Sequence, residues 1–274
     1  RGAPGGDRGP GCHRGARQRP VSDLVAQPVG PDETLDPLCG AWRILQLRGG
    51  HRFSTDDLVT AWVGAQARPQ AQRLLDLGAG IGTVGLAALW MLPPSARLEM
   101  VEAQELSHRL ALRTIVLNGL QERVGARLAD LREPLDGLGT FELITGSPPY
   151  IPLGRGLLSP HPQRAACRIE LRGDVSDYCR AAAAHLAPDG RFSICHAWGD
   201  PRPEPALKAS GLRLLQRFPI YFRSGRAPTI LVYLAGWEGE ALPDHPLTVR
   251  TEDGAWTSEW QALRRAMGAP GAPK

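Results

Sequence analysis

Between Arg73 and Trp198 the chain repeats one arrangement: a short apolar run that stops at a glycine or an acid, then a stretch with helical spacing. The runs are "RLLDLGAG", "ARLEMVEA", "ARLADL", "FELITG" and "RFSICHAW", and the helical stretches are "TVGLAALWML", "QELSHRLALRTIVLNGL" and "DVSDYCRAAAAHLAPDG". Continuous apolar runs alternating with amphipathic helices form βαβ units, whose strands lie parallel and are buried on both faces. The pattern predicts an α/β, Rossmann-like fold: a seven-stranded, mainly parallel sheet with helices on both faces. "LRLLQRFPIYF" and "TILVYLAGW", joined by the polar "RSGRAP", predict a terminal antiparallel hairpin.

The flanking segments are of a different kind. Residues 1–30 are rich in glycine, proline and arginine without apolar periodicity, which predicts a disordered tail. Residues 31–237 form the expected domain, and 238–274 read as a strand, an Asp-Gly turn and a helix packed on it. Before the glycines, "RILQL" predicts a strand and "STDDLVTAWVGAQA" a helix, opened by Ser54 and Asp57 as a capping box. The third helix is expected to end at Pro188-Asp189-Gly190.

No window is apolar for long enough to cross a membrane. Five scattered cysteines without a Cys-x-x-Cys pair indicate neither a disulfide framework nor a zinc site, which fits a reducing cytoplasm. The histidines show no ligand spacing, so no metal is assigned. A net charge of +4 is compatible with a polyanionic partner.

The candidate chemistry lies where strands end. Gly78, Gly80 and Gly82 in "DLGAGIGTVG" let the backbone approach a ligand, because no Cβ intrudes and positive φ is permitted. Asp76, Glu102 and Asp130 end the first three strands and would border one crevice in an open α/β sheet. Glu102 is placed to accept two ribose hydroxyls, Asp130 an adenine amino group, and Asp76 to hold the loop or face a cation. An extra acid beside the loop suits S-adenosylmethionine, which carries an ammonium and a sulfonium, better than the pyrophosphate of NAD. Strand-end capping is the plainer alternative for Asp76 and Asp130.

After the fourth strand comes Ser147-Pro148-Pro149-Tyr150. The prolines end a strand. They also fix the direction of the Pro148 carbonyl, which with Ser147 Oγ could accept the two N–H bonds of an amine, while Tyr150 offers a face for a flipped base.

These residues together resemble the class I S-adenosylmethionine-dependent methyltransferases of the N6-adenine type, and most closely the bacterial valine-tRNA adenine N6-methyltransferase family. The likeness rests on "ILQLRGGHRFSTDDLVTA", "LLDLGAGIGTVGL", "ITGSPPY", "HPQRAACRIELRGDVSDYCRAAAAHLAPDGRF", "RSGRAPTILVYLAGW" and "EDGAWTSEW", over about residues 33–268. It implies S-adenosylmethionine as cofactor, bound by Asp76, Gly78, Gly80, Gly82, Glu102 and Asp130, with Arg52, Phe53 and Asp56 in a segment covering the pocket. It implies catalytic roles for Ser147, Pro148, Pro149 and Tyr150, and RNA, a tRNA first, as substrate of a cytoplasmic enzyme, with a monomer expected. That family normally has asparagine where this chain has Ser147, and an amide nitrogen poses the same chemical problem to a Pro-Pro-Tyr motif, so three alternatives stand beside it. They are a release-factor glutamine N5-methyltransferase, a DNA amino-methyltransferase, and an RNA-binding protein with weakened turnover.

Overall fold

The structure, a computed structural model, describes residues 28–155 and 159–268; most of the tail read at 1–30 lies outside them. Glu33–Pro37 (β1) and Arg43–Leu47 (β2) form an antiparallel pair, followed by helix Thr55–Ala67 (α1). The alternation then runs Arg73–Leu77 (β3), Thr83–Met91 (α2), Arg97–Glu102 (β4), Glu105–Leu117 (α3), Val124–Leu128 (β5) and Phe141–Gly146 (β6). Pro162–Arg168 (α4), Val175–His185 (α5), Leu186–Ala197 (β7), Pro203–Ala209 (α6), Arg213–Tyr221 (β8) and Ile230–Gly236 (β9) follow, and Leu247–Thr248 (β10) and Ser258–Ala266 (α7) complete the order.

The strand order is β10-β8-β9-β7-β6-β3-β4-β5. Only β9 runs against its neighbours, giving the expected mainly parallel Rossmann-like sheet with an antiparallel hairpin; the short β10, parallel to β8, is the eighth strand. The chain leaves β3 towards β4 on one side and later places β6 on the other. The carboxyl ends of β3 and β6 therefore flank the switch point at which open α/β sheets bind ligands.

Both faces of the sheet are covered. On one, Leu58, Val59, Leu86, Leu89, Leu110 and Leu263 bury α1, α2, α3 and α7 against the strands. On the other, Val175, Tyr178, Ala182 and Leu207 do so for α5 and α6. Leu74, Leu75 and Leu77 of β3 are wholly buried, each contributing about 1.5–3 kcal/mol of transfer free energy.

One boundary is corrected. The helix expected to reach Gly190 ends at His185, and Leu186 already belongs to β7, paired with Phe141 of β6. The helices α4 and α6 were not predicted. Each spans seven residues and begins with proline, too short a window for a helical period to show.

Candidate active site

At the switch point the strand ends enclose a cavity of about 330 Å³. Asp76, Gly78, Gly80, Glu102, Ser147, Pro148, Pro149 and Tyr150 line it, together with Asp56, Asp57, His51, Tyr178, Cys167 and Arg172.

The glycine loop is built by backbone conformation. Gly78, Gly80 and Gly82 have φ of +60°, +58° and +94°, in the left-handed region that side chains disfavour. A Cβ at Gly78 would lie 1.9 Å from the Tyr178 hydroxyl, so that glycine is required by crowding as well. Gly82 caps α2 and faces Met100 rather than the cavity wall.

Asp76 clamps this loop from below. Its Oδ1 accepts from Thr145 Oγ1 of β6 at 2.8 Å, and its Oδ2 accepts from the Gly85 N–H of α2 at 2.9 Å. Burial outweighs these bonds and pushes its carboxyl up to about 7.

Glu102 holds the loop from the side. It accepts the Gly80 N–H at 2.7 Å and the Gln104 N–H at 2.6 Å, with its pKa raised chiefly by burial. A carboxylate has about four lone-pair positions, and beside the Gly80, Gln104 and Ala103 N–H groups acceptor capacity remains for a hydroxyl donor.

The Ser-Pro-Pro-Tyr stretch is held from behind by groups distant in sequence. Tyr150 donates its hydroxyl to Asp56 Oδ2 at 2.8 Å and lies 3.0 Å from Cys195 Sγ. The Cys195 thiol, kept protonated by burial with its pKa up at about 12, donates to Ser147 Oγ at 3.3 Å. The Ser147 hydroxyl in turn hydrogen-bonds Asp57, whose pKa is pushed well up, first by burial and then by Asp56. Asp57 also accepts the Ser54 N–H at 3.0 Å, the backbone half of the predicted capping box. The far wall is stitched by Gln163, which accepts the His51 N–H at 2.8 Å and donates to Ser107 Oγ at 3.2 Å.

Two expected residues lie away from this wall. Arg52 pairs with Asp36 at 2.8 Å and donates to Thr34 at 2.9 Å, so its guanidinium is committed to β1. Asp130 stands two residues beyond the end of β5 and is gripped by Arg132 at 2.7 Å, with its pKa lowered by that bond, so an adenine-acceptor role does not follow from this geometry. Its neighbour Leu131 lines the cavity instead. Asp57, His51, Tyr178 and Cys195 were not singled out as site residues. Asp57 alone carried a signal, and it pointed to capping.

Four carboxyl groups, Asp56, Asp57, Asp76 and Glu102, border one cavity. With the open backbone at Gly80, where an added Cβ would meet nothing, the donor set fits a cationic ligand that also bears hydroxyls. Among the described residues no cluster of histidine, cysteine and acids could hold a metal ion, and no helix is long and apolar enough to cross a membrane.

Comparison with known proteins gives the same picture. Residues 56–154 match the family model described as the methyltransferase small domain. The tRNA1(Val) (adenine(37)-N6)-methyltransferase of Pasteurella multocida is 23% identical over 209 residues, 76% of this chain and 85% of that protein. The ribosomal protein uL3 glutamine methyltransferase of Bradyrhizobium diazoefficiens is 32% identical over 130 residues, 45% of this chain and 40% of that protein. Among solved structures, a predicted O-methyltransferase from Agrobacterium tumefaciens shares the fold, with a TM-score of 0.56 and 22% identity over 79% of this chain and 98% of that one.

Proposed function

We propose that the chain, which is an S-adenosylmethionine-dependent methyltransferase, moves the methyl group to an exocyclic amino nitrogen, adenine N6 in RNA and in tRNA first. The observation that carries this reading is the placement of Ser147, Pro148 and Tyr150 on the same cavity as the glycine loop and Glu102. The tRNA adenine methyltransferase of Pasteurella multocida, similar over most of both chains, supports the choice of substrate.

Bound at the loop, S-adenosylmethionine supplies a methyl group on a cationic sulfonium, so the chain needs no metal to make that carbon electrophilic. Gly80 gives backbone access and Glu102 accepts from the ribose with the capacity left beside its backbone bonds. The acids around the cavity oppose the positive charge. Asp76 acts through position, holding β3, β6 and α2 at fixed spacing around the loop.

An exocyclic amine is a poor nucleophile because its lone pair is delocalised into the ring. The proposed roles answer that. The Pro148 carbonyl and Ser147 Oγ accept the two amine N–H bonds and draw the nitrogen towards tetrahedral geometry. Ser147 can do so because its own proton is directed at Asp57, which leaves a lone pair free beside the one taken by Cys195. Asp57 in its ionised form is the proposed receiver, through Ser147, of the proton that the nitrogen sheds once the carbon–nitrogen bond has formed and the carbon–sulfur bond has broken. Tyr150 is the platform on which the base stacks.

The second reading is methyl transfer to a glutamine amide of a protein, favoured by the glutamine methyltransferase of Bradyrhizobium diazoefficiens at 32% identity over its matched region. Incubating the protein with labelled S-adenosylmethionine and, in parallel, bulk tRNA, rRNA, DNA and ribosomal protein separates the two. Label in tRNA at adenine N6 is the expected result, and label in protein alone overturns it.

A further inference from the structure

A second cavity, of about 380 Å³, lies between the end of β8, the residues after β10 and the start of α7. β8 opposes β9, which opposes β7, so the Tyr221 end of β8 lies on the same edge of the sheet as the carboxyl ends that form the first cavity. Thr55 lines the second cavity and Asp56 the first. Consecutive α-carbons are about 3.8 Å apart, so the first turn of α1 is a wall common to both.

The chemistry of the second wall is cationic and aromatic: Arg223, Arg250, Trp256 and Trp260 contribute, with Arg264 behind. Among the described residues Arg52, Arg68, Arg113, Arg132, Arg180, Arg202 and Arg217 are matched to acids, and these seven have part of their charge already answered within the protein. Among the described residues no ion pair engages Arg223 or Arg250, and both are exposed. Arg250 donates to the Gly254 carbonyl at 2.7 Å and stands 6.0 Å from the Trp256 ring, with Arg264 over the same ring at 4.4 Å. Aromatic faces orient guanidinium groups without cancelling their charge. The nearby Asp253 accepts from Thr251 Oγ1 and from the Ala255 N–H at 3.5 Å, and it feels the charge of Arg223 without forming an ion pair with it.

We propose that this cavity is a phosphodiester-binding subsite, in which Arg223 and Arg250 hold the backbone of the nucleic-acid strand that flanks the base presented to Tyr150. The proposal rests on the nucleic-acid reading above and adds the residues that grip the strand. Guanidinium forks match phosphate oxygens, the aromatic walls suit sugar and base, and α1 sets the spacing between strand grip and reacting base. Arg217, paired with Glu204, is not part of it.

The test compares wild type with the double variant Arg223→Ala/Arg250→Ala and the control Arg217→Ala, using the RNA that wild type labels, across a salt series. The double variant should raise KM for RNA at least about tenfold, leave kcat and the Kd for S-adenosylmethionine within about twofold, and lower the slope of log KM against log salt by roughly one to two, the share of two phosphate contacts. Arg223→Lys/Arg250→Lys should restore most of that loss, and melting curves check that each variant is folded. RNA methylation with unchanged KM and slope in the double variant overturns the subsite while leaving the proposed function standing. Label in protein alone overturns both. Inorganic phosphate is the free-anion arm. If it binds wild type as tightly as RNA does while the double variant still methylates RNA normally, the cavity holds a free anion and the subsite is overturned.

Discussion

Tyr150 is fixed at both ends of its side chain: the ring borders the cavity while the hydroxyl is held by Asp56 and Cys195. Truncation and loss of the hydroxyl should therefore have different effects. Tyr150→Ala removes the stacking platform, worth about 1–3 kcal/mol, and should lower kcat/KM for RNA roughly 5- to 150-fold while cofactor affinity holds. Tyr150→Phe keeps the ring and should lose much less. Isothermal titration with S-adenosylmethionine, set beside initial rates, checks both. Glu102→Ala should do the opposite, because the carboxylate that anchors Gly80 and offers further acceptor capacity is gone. Its Kd for the cofactor should rise about 10- to 150-fold, the range for hydrogen bonds to a charged group. At this scale the sequence was readable where chemistry is local in the chain. Gly78 and Gly80 betray themselves by composition, and Ser147 and Tyr150 by the prolines between them. Asp57 and Cys195 reach the same site through space, from a helix cap and from mid-strand; the local pattern marks Asp57 only as a cap and does not mark Cys195.

Elements were legible in proportion to the length of their pattern. α3, with 13 residues and an Asn-Gly ending, and β3, with its apolar run into glycines, lie where periodicity put them. Leu186 to Gly190 followed helical composition until tertiary pairing with β6 claimed it for β7, the kind of override that local propensity cannot anticipate. α7 shows the packing side of the same rule. Trp260, Leu263 and Met267 recur at helical spacing and are buried against the first core, and the Gly268 carbonyl accepts the Gly40 N–H at 2.6 Å. Leu263→Ala should cost about 2–5 kcal/mol by leaving a cavity under this helix, measurable as a lower urea midpoint with unchanged m-value. Because Leu263 lines neither cavity, the cofactor Kd of the folded variant should match wild type.

At the scale of the whole molecule, four acids meet at the switch point of the sheet, and the protonation of Asp76 ties stability to ligand binding. The sign follows from Asp76. Its folded value of about 7 lies above the value of about 3.9 usual for an unfolded aspartate. Between those values the unfolded chain has already lost a proton that the folded chain keeps, so the stability of the cofactor-free protein falls as pH rises from about 4 to about 7, with no further contribution above that. A cation entering the cavity favours the ionised carboxylate. Binding of S-adenosylmethionine should therefore release protons, and its affinity should climb from pH 5.5 to pH 8. At a ligand concentration of about 100 Kd the stabilisation is about 2.7 kcal/mol, which for a domain of this size is a rise in Tm of roughly 5–11 °C. Thermal melts with a fixed cofactor concentration at the two pH values should show the larger rise at pH 8, and titration in buffers of different ionisation enthalpy should report the released proton. Asp76→Asn cannot titrate and should flatten the pH dependence, whereas a Kd that is the same at both pH values in wild type would mean that the acids do not face the ligand's charge.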